Sequence, residues 1–291
     1  DMKGSFSHES HYLGYEEHSF YQFKFHYCRL GGYGGYEIIG YKNLNQLQSI
    51  LDKMMIRRLK KDVLDLPEKV RSVEYVEMSE KQHIIYDEIK KKTLENIDLI
   101  LKCVNPLSQL IRLRQATGYT GLLSSTIQES AKLDRLEELV ENITENNQKV
   151  LIYSNWTDMT TEIEKRLSKY NPLKITGDIK EADRETAKQK FQTDNRYKVL
   201  IGTIGAMGTG FTLTAATSII FVDEPWNRAI RDQAEDRAHR IGTTETINIY
   251  YLITKNTIDE KIHNLVELKG DVSDAIVDNK IDEDKINYLL S

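Results

Sequence analysis

Asp232-Gln-Ala-Glu-Asp-Arg-Ala-His-Arg-Ile-Gly-Thr243 is the stretch on which the reading of this chain turns. Good helix formers, no proline, and Gly242 where a helix would stop predict a helix over residues 232–242. At about 100° per residue, that helix would put Gln233, Arg237 and Arg240 on one face. Two arginines three apart repel each other, so such a face is costly unless an anion lies against it. A guanidinium is permanently charged and forked, which suits a phosphoryl group gathering charge in a transition state. The same residues also read as a solvated helix laced by Arg231–Glu235 and Asp236–Arg240 pairs, each worth roughly a few tenths of a kcal/mol.

Around that stretch the pattern is regular. Helices are predicted over residues 132–144, 160–170 and 182–192, leading to strands over 150–154, 173–176 and 198–203. Further strands follow over 218–223 and 247–252, with a last helix from 258. Short apolar strands alternating with amphipathic helices define an α/β fold, a parallel sheet covered on both faces. Ligands of such sheets bind beyond the carboxyl ends of the strands. The loops of interest are therefore Asn155-Trp156, Gly177-Asp178, residues 202–210 and Glu224-Pro-Trp-Asn227. Ile201-Gly-Thr-Ile-Gly-Ala-Met-Gly-Thr-Gly-Phe211 is glycine-rich, which lets a backbone approach a phosphate. It is not a P-loop, because no Gly-Lys-Ser/Thr occurs in the chain. Asp223 and Glu224 imitate the metal-holding acids of an NTPase strand, but without that lysine they read as structural or interdomain. Trp226 and Asn227 suit either stacking and phosphate contact or a buried anchor.

The 291 residues suffice for one large or two modest domains, and the formal net charge of −5 excludes a wholly basic nucleic-acid coat but not a local basic strip. No apolar run approaches a membrane span, and Cys28 and Cys103 lie far apart, as expected of free thiols in a reducing compartment. Residues 1–11 read as a frayed end or remnant. His8, His11, His18, His26 and Cys28 match no closed ligand pattern, so core and turn duty is expected of the aromatic, glycine-rich segment and metal is not. A helix over 43–58 runs into Arg57, Arg58, Lys60 and Lys61, the densest positive cluster, which reads either as a solvated helix end or as a contact with phosphate or a neighbouring domain. Beyond Pro67 a strand is predicted over 70–77. Ser79 with Gln82 forms a capping box for a helix to about Cys103, and Pro106 opens another ending near Gly118.

These pieces, in this order, resemble the second motor lobe of Swi/Snf-type DNA-dependent ATPases of helicase superfamily two, bacterial or phage subgroup. Met55-Ile-Arg-Arg-Leu-Lys-Lys-Asp-Val-Leu-Asp-Leu-Pro-Glu-Lys69 resembles the segment joining the lobes, and Val150-Leu-Ile-Tyr-Ser-Asn-Trp156 resembles motif IV. Residues 201–214 resemble motif V, and Gln233-Ala-Glu-Asp-Arg-Ala-His-Arg-Ile-Gly242 resembles motif VI. The resemblance implies a RecA-like sheet over 131–270, after an aromatic end of the first-lobe protrusion over 1–65 and a linker with helical protrusion over 66–130. An acidic tail, residues 271–291, completes the chain. It implies arginine fingers at Arg237 and Arg240, with Gln233, Asp236, Gly208 and Gly210 facing the nucleotide. ATP and Mg would be held mainly by a first lobe that this sequence lacks, so hydrolysis by the chain alone is expected to be negligible. The resemblance further implies that Asn155, Trp156, Gly177, Thr203, Trp226, Asn227, Arg57, Arg58 and Lys60 contact the backbone of double-stranded DNA. Thr243, Arg228 and Thr209 depart from the family's usual residues. The implied setting is the cytoplasm of a bacterial or phage-infected cell, near the nucleoid, with no membrane and an isolated fragment that is monomeric. The alternatives are a non-catalytic DNA- or protein-binding module that keeps the fold, or a self-sufficient nucleotide-binding enzyme. The latter lacks the strand-then-Gly-x-Gly-x-x-Gly order.

Overall fold

The computed structural model describes residues 20–31, 33–35, 37–54, 64–95, 107–207 and 211–269. The chain divides into two compact units, residues 1–64 and 65–291. In the first unit, helix α1 (Phe20–Tyr27) leads into an antiparallel pair, β1 (Cys28–Gly31) and β2 (Glu37–Tyr41), followed by α2 (Leu44–Met54). Tyr27 and Cys28 are buried there. His26 Nε2 lies 3.0 Å from Gln46 Oε1, so that histidine serves the unit's own packing. Arg57, Arg58, Lys60 and Lys61 lie outside the described residues, as do His8, His11, His18 and Cys103.

The second unit opens with β3 (Lys69–Val76), α3 (Glu80–Glu95), α4 (Leu107–Gly118) and α5 (Ala131–Glu145). Half of the expected capping box forms at the start of α3: the Gln82 amide donates to Ser79 Oγ at 3.2 Å, but the Gln82 side chain turns to the Ala116 and Thr117 carbonyls and the Ala131 amide instead of reaching back to Ser79. The alternating half then supplies β4 (Val150–Ser154), α6 (Thr157–Arg166), β5 (Leu173–Ile175), α7 (Glu181–Thr193), β6 (Val199–Thr203) and the single turn α8 (Ile204–Met207). It ends with β7 (Ser218–Phe221), α9 (Arg228–Glu235), β8 (Ile247–Thr254) and α10 (Ile258–Lys269). Six strands pair in the order β3-β8-β7-β4-β6-β5, every neighbouring pair parallel. This is a RecA-like α/β sheet covered on both faces. Its edge strand β3 comes from the segment read as linker and protrusion, and it pairs along its whole length with β8.

Continuous apolar strands are what two covered faces demand. Along β4 the side chains alternate: Val150 and Ile152 pack under α5 and α6, while Leu151 and Tyr153 pack under α7 and α9. The rings of Tyr153, Phe221 and Tyr251 stack across β4, β7 and β8 at 5.2 and 5.4 Å between centroids. A third cluster joins α3, α4 and α10 through Tyr86, Leu110, Leu113, Ile258 and Ile262. The connection leaving β4 runs to the α6 face and the one leaving β7 runs to the α9 face. A crevice therefore opens between their carboxyl ends, as it does wherever strand order reverses in an open α/β sheet.

The helix expected over 232–242 is corrected. The helix covers Arg228–Glu235, and residues 236–243 form tight turns. Gln233, Arg237 and Arg240 therefore do not share a helical face. A local cap sets the start of the helix and a tertiary pull sets its end. Asn227 caps the helix early, its Oδ1 accepting from the amides of Ala229 and Ile230 at 2.7 and 3.2 Å. At the other end, Glu235 and Asp236 are drawn to cations on β3. Gly242 closes the turns with φ +103°, a backbone conformation that disfavours side-chain-bearing residues. The Arg231–Glu235 and Asp236–Arg240 pairs are replaced by longer-range ones: Arg231 with Glu224 and Glu267, and Asp236 with Lys69.

Candidate nucleotide and nucleic-acid edges

The predicted residues fall at two places. Asn155, Trp156, Gly177, Thr203, Trp226 and Asn227 all follow or end strands at the carboxyl edge. Arg237 and Arg240 belong to a loop near the amino ends of β3, β7 and β8. The Leu213 amide, just before β7, donates to the Arg237 carbonyl at 2.9 Å, and His239 Nε2 donates to the Pro67 carbonyl at 2.7 Å. Residues 204–207 continue from β6 at the first place, and residues 211–217 lead to β7 at the second; Gly208 and Gly210 lie outside the described residues. Gln233 is exposed on α9, and Asp236 is the residue that caps the helix's carboxyl end.

The arginine loop is tied to β3, to β8 and to itself. Glu235, fully buried, accepts from Arg71 Nε and Nη2 at 3.1 and 2.6 Å, from Lys69 Nζ at 3.0 Å and from the Tyr251 hydroxyl at 2.6 Å. Lys69 Nζ also reaches Asp236 Oδ1 at 2.9 Å. Burial pushes the Glu235 carboxyl up, but Arg71, Lys69 and Tyr251 outweigh it and hold it below the ordinary range. Thr243 staples the loop internally: its hydroxyl donates to the Ala238 carbonyl at 2.6 Å and accepts from the Arg240 amide at 3.3 Å. Arg240 is exposed, with Nη1 donating to Thr212 Oγ1 at 3.1 Å, and Arg237 is half-buried. Arg237 and Arg240 thus leave a pinned backbone beside the segment that follows the glycine loop, the first side chain half-buried and the second exposed.

The carboxyl edge rests on a buried polar network. Asp223 accepts from Ser154 Oγ at 2.5 Å, and burial pushes its carboxyl up against the opposing pull of Lys132 and Arg114. Gly118 makes room for it, since a Cβ there would lie 3.3 Å from Asp223 Oδ1 and 3.0 Å from the Met159 methyl. Glu224 binds Arg231 Nη1 through Oε1 at 2.5 Å and His263 Nδ1 through Oε2 at 2.8 Å. Asp223 and Glu224 are engaged structurally, one of the two roles their sequence suggested. Asn155 Nδ2 faces the carbonyls of Asp223 and Glu224 at 3.5 and 3.4 Å. Gly177 is exposed, and its carbonyl accepts from Arg184 Nη2 at 2.7 Å.

Among the described residues, Glu224, His263 and Glu267 bring ligand atoms close enough for a metal. The Arg231 guanidinium already bridges the two carboxylates, at 2.5 and 2.7 Å, and a second cation would meet its charge. Sequence reasoning missed Arg114, whose guanidinium lies over both Trp156 and Trp226. Helical spacing carried the signal: Leu110, Leu113, Arg114 and Thr117 form one stripe, and all four are buried.

A six-stranded parallel sheet of this order, covered by helices on both faces, defines a RecA-like lobe. The family models agree: the helicase conserved C-terminal domain matches residues 131–242, and the SNF2-related domain matches residues 21–121. The chain belongs to the Swi/Snf-type ATPases of helicase superfamily two, as a C-terminal motor lobe. It is 32 % identical over 254 residues to YwqA of Bacillus subtilis, described as an ATP-dependent helicase/translocase, covering 82 % of this chain and 27 % of that protein. It is 36 % identical over 165 residues to the chromatin-remodeling ATPase INO80 of Saccharomyces cerevisiae, covering 56 % of this chain and 11 % of that one. The chain thus spans about a quarter or less of the curated relatives it matches. In fold it is similar to the Sulfolobus solfataricus SWI2/SNF2 ATPase core solved in complex with dsDNA, at a TM-score of 0.65 and 24 % identity over 93 % of this chain and 60 % of that one. The C-terminal part of the Fun30 ATPase domain gives a TM-score of 0.65 at 24 % identity, over 77 % of this chain and 96 % of that one.

Proposed function

We propose that the chain is the second motor lobe of an ATP-dependent translocase on double-stranded DNA. Arg237 and Arg240 would serve as arginine fingers to an ATP held on a first lobe, with Gln233, Asp236 and the 208–210 loop beside them. Asn155, Trp156, Gly177, Thr203, Trp226 and Asn227 would follow one DNA strand's backbone, helped by Arg57, Arg58 and Lys60. The observation that carries the reading is the pinned loop: two guanidiniums on a backbone fixed by Glu235, Thr243 and Leu213 need little reorganisation when charge develops on a phosphoryl group. The residues fit the anionic end of ATP. They do not fit a magnesium cradle: Glu235 and Asp236, the acids beside the arginines, are taken by Arg71 and Lys69, and Asp223 and Glu224 at the other edge are engaged by Ser154, Arg231 and His263. A nucleotide's metal would then be held by residues of another lobe, and closing and reopening the cleft between lobes would move the motor along the duplex.

Phosphate contacts carry no base identity, so the chain should bind unrelated duplexes equally and release them as salt rises. Fluorescence anisotropy with two duplexes of different sequence tests this across a salt series. Marked preference for one sequence, or affinity indifferent to salt, would contradict the reading.

A further inference from the structure

Arg114 projects from α4, a helix outside the alternating half, yet its side chain ends beneath the crevice between β4 and β7. It is only 3 % exposed. Its guanidinium carbon lies 4.6 Å from the Trp226 ring centroid and 5.5 Å from that of Trp156. Nη2 donates to the Glu224 carbonyl at 2.5 Å, whereas Nε and Nη1 meet no hydrogen-bond acceptor. A buried cation ordinarily takes a carboxylate directly. Here the neighbouring acid, Asp223, is hydrogen-bonded to Ser154, and the faces of two indoles receive the guanidinium instead. A flat cation can lie against two rings at once, which an ammonium cannot do as well. Trp156 and Trp226 belong to different loops, and each is half-buried. Arg114 is a group placed to set both.

We propose that Arg114 is a positioning residue for duplex binding: lying between the two indoles, it fixes Trp156 and Trp226 as one surface at the crevice and does not itself touch a phosphate. This rests on the assignment of the crevice to DNA. The Glu224 carbonyl holds the guanidinium at one end, and the rings are ordered around it before any ligand arrives. Binding then avoids the cost of ordering two aromatic side chains.

The chain contains two tryptophans in all, so tryptophan fluorescence, excited selectively over that of the tyrosines, reads this site alone. Arg114→Met and Arg114→Lys in the full 291-residue chain, checked for folding by circular dichroism, provide the test. In Arg114→Met without DNA, the emission maximum and quenching by iodide should change. Duplex affinity should fall about tenfold, in keeping with the loss of a desolvated cation–π contact. The slope of log affinity against log salt should stay unchanged, because no phosphate contact has gone. Arg114→Lys should recover part of the affinity, and it carries the same measurements should the methionine variant not fold. A slope smaller by about one would overturn the proposal by making Arg114 a direct phosphate ligand. Unaltered emission and affinity in a folded variant would also overturn it. Failure of the unsubstituted chain to bind duplex would remove the DNA assignment and the proposal together, whereas loss confined to the variants separates the two.

Discussion

Two buried glutamates bracket α9, and they are held in different ways. Glu224, before the helix, meets Arg231, a guanidinium only 1 % exposed, together with His263, and its own carbonyl takes Arg114. Glu235, at the far end, is fully buried, but its cations come from β3 and reach water, with side chains 15 % exposed for Lys69 and 42 % for Arg71. The first arrangement is dry and depends on the unit's interior. The second moors the arginine loop to the strand that follows the basic segment, through charges that solvent can screen. The crevice is therefore built as a fixed support, while the arginine loop is held by ties that respond to salt, pH and the position of β3.

The largest effect is expected at the dry end. Glu224→Ala should cost about 3–5 kcal/mol, because it leaves Arg231 buried with Glu267 as its remaining carboxylate partner. Urea unfolding would measure the loss, and a cost below that of a surface pair would break the comparison. Glu235→Ala should cost less, about 2–3 kcal/mol, since Arg71 and Lys69 can turn to water once released. Raising salt should narrow the Glu235→Ala gap and leave the Glu224→Ala gap almost unchanged.

A pH series sharpens the contrast. The Glu235 carboxyl is held below its ordinary value, so its stabilisation is complete above about pH 4.3, the unfolded value, and fades as pH falls through the folded one. Melting temperatures of the unsubstituted chain and Glu235→Gln should differ at pH 7 and converge in acid. A constant gap would place the stabilisation in packing and not in charge. The smallest effect belongs to Thr243→Val, which removes a hydroxyl bonded to the Ala238 carbonyl and the Arg240 amide. About 1 kcal/mol of stability should go. In a parent protein carrying both lobes, turnover should fall more than ATP affinity, since the staple sets the arginine loop. A variant of unaltered stability and turnover would show the loop to be fixed without it.

The sheet was legible because its signals are local. Val150-Leu-Ile-Tyr153 runs without a charge or a break, as a strand covered on both faces must, and all five residues of β4 are buried. Ser79 and Gln82 announced the start of α3 for the same reason: cap and amide are three residues apart. The arginine stretch was misread as a continuous helix because its end is decided by Lys69, Arg71 and Pro67, more than 160 residues away in sequence. Arg114 escaped notice because its partners, Trp156 and Trp226, lie on loops that only the folded sheet brings together. A cation among Leu110, Leu113 and Thr117 on one helical stripe was the visible clue.

One measurement bears most directly on the motor reading: duplex-stimulated ATP hydrolysis by a protein that joins this chain to a first motor lobe, with Arg237→Ala and Arg240→Ala compared one at a time. The account predicts that duplex DNA stimulates turnover and that either substitution lowers it by about 10³-fold or more, with ATP binding and duplex affinity nearly intact. Turnover that survives both substitutions would contradict it and leave the lobe a binding module that keeps the fold.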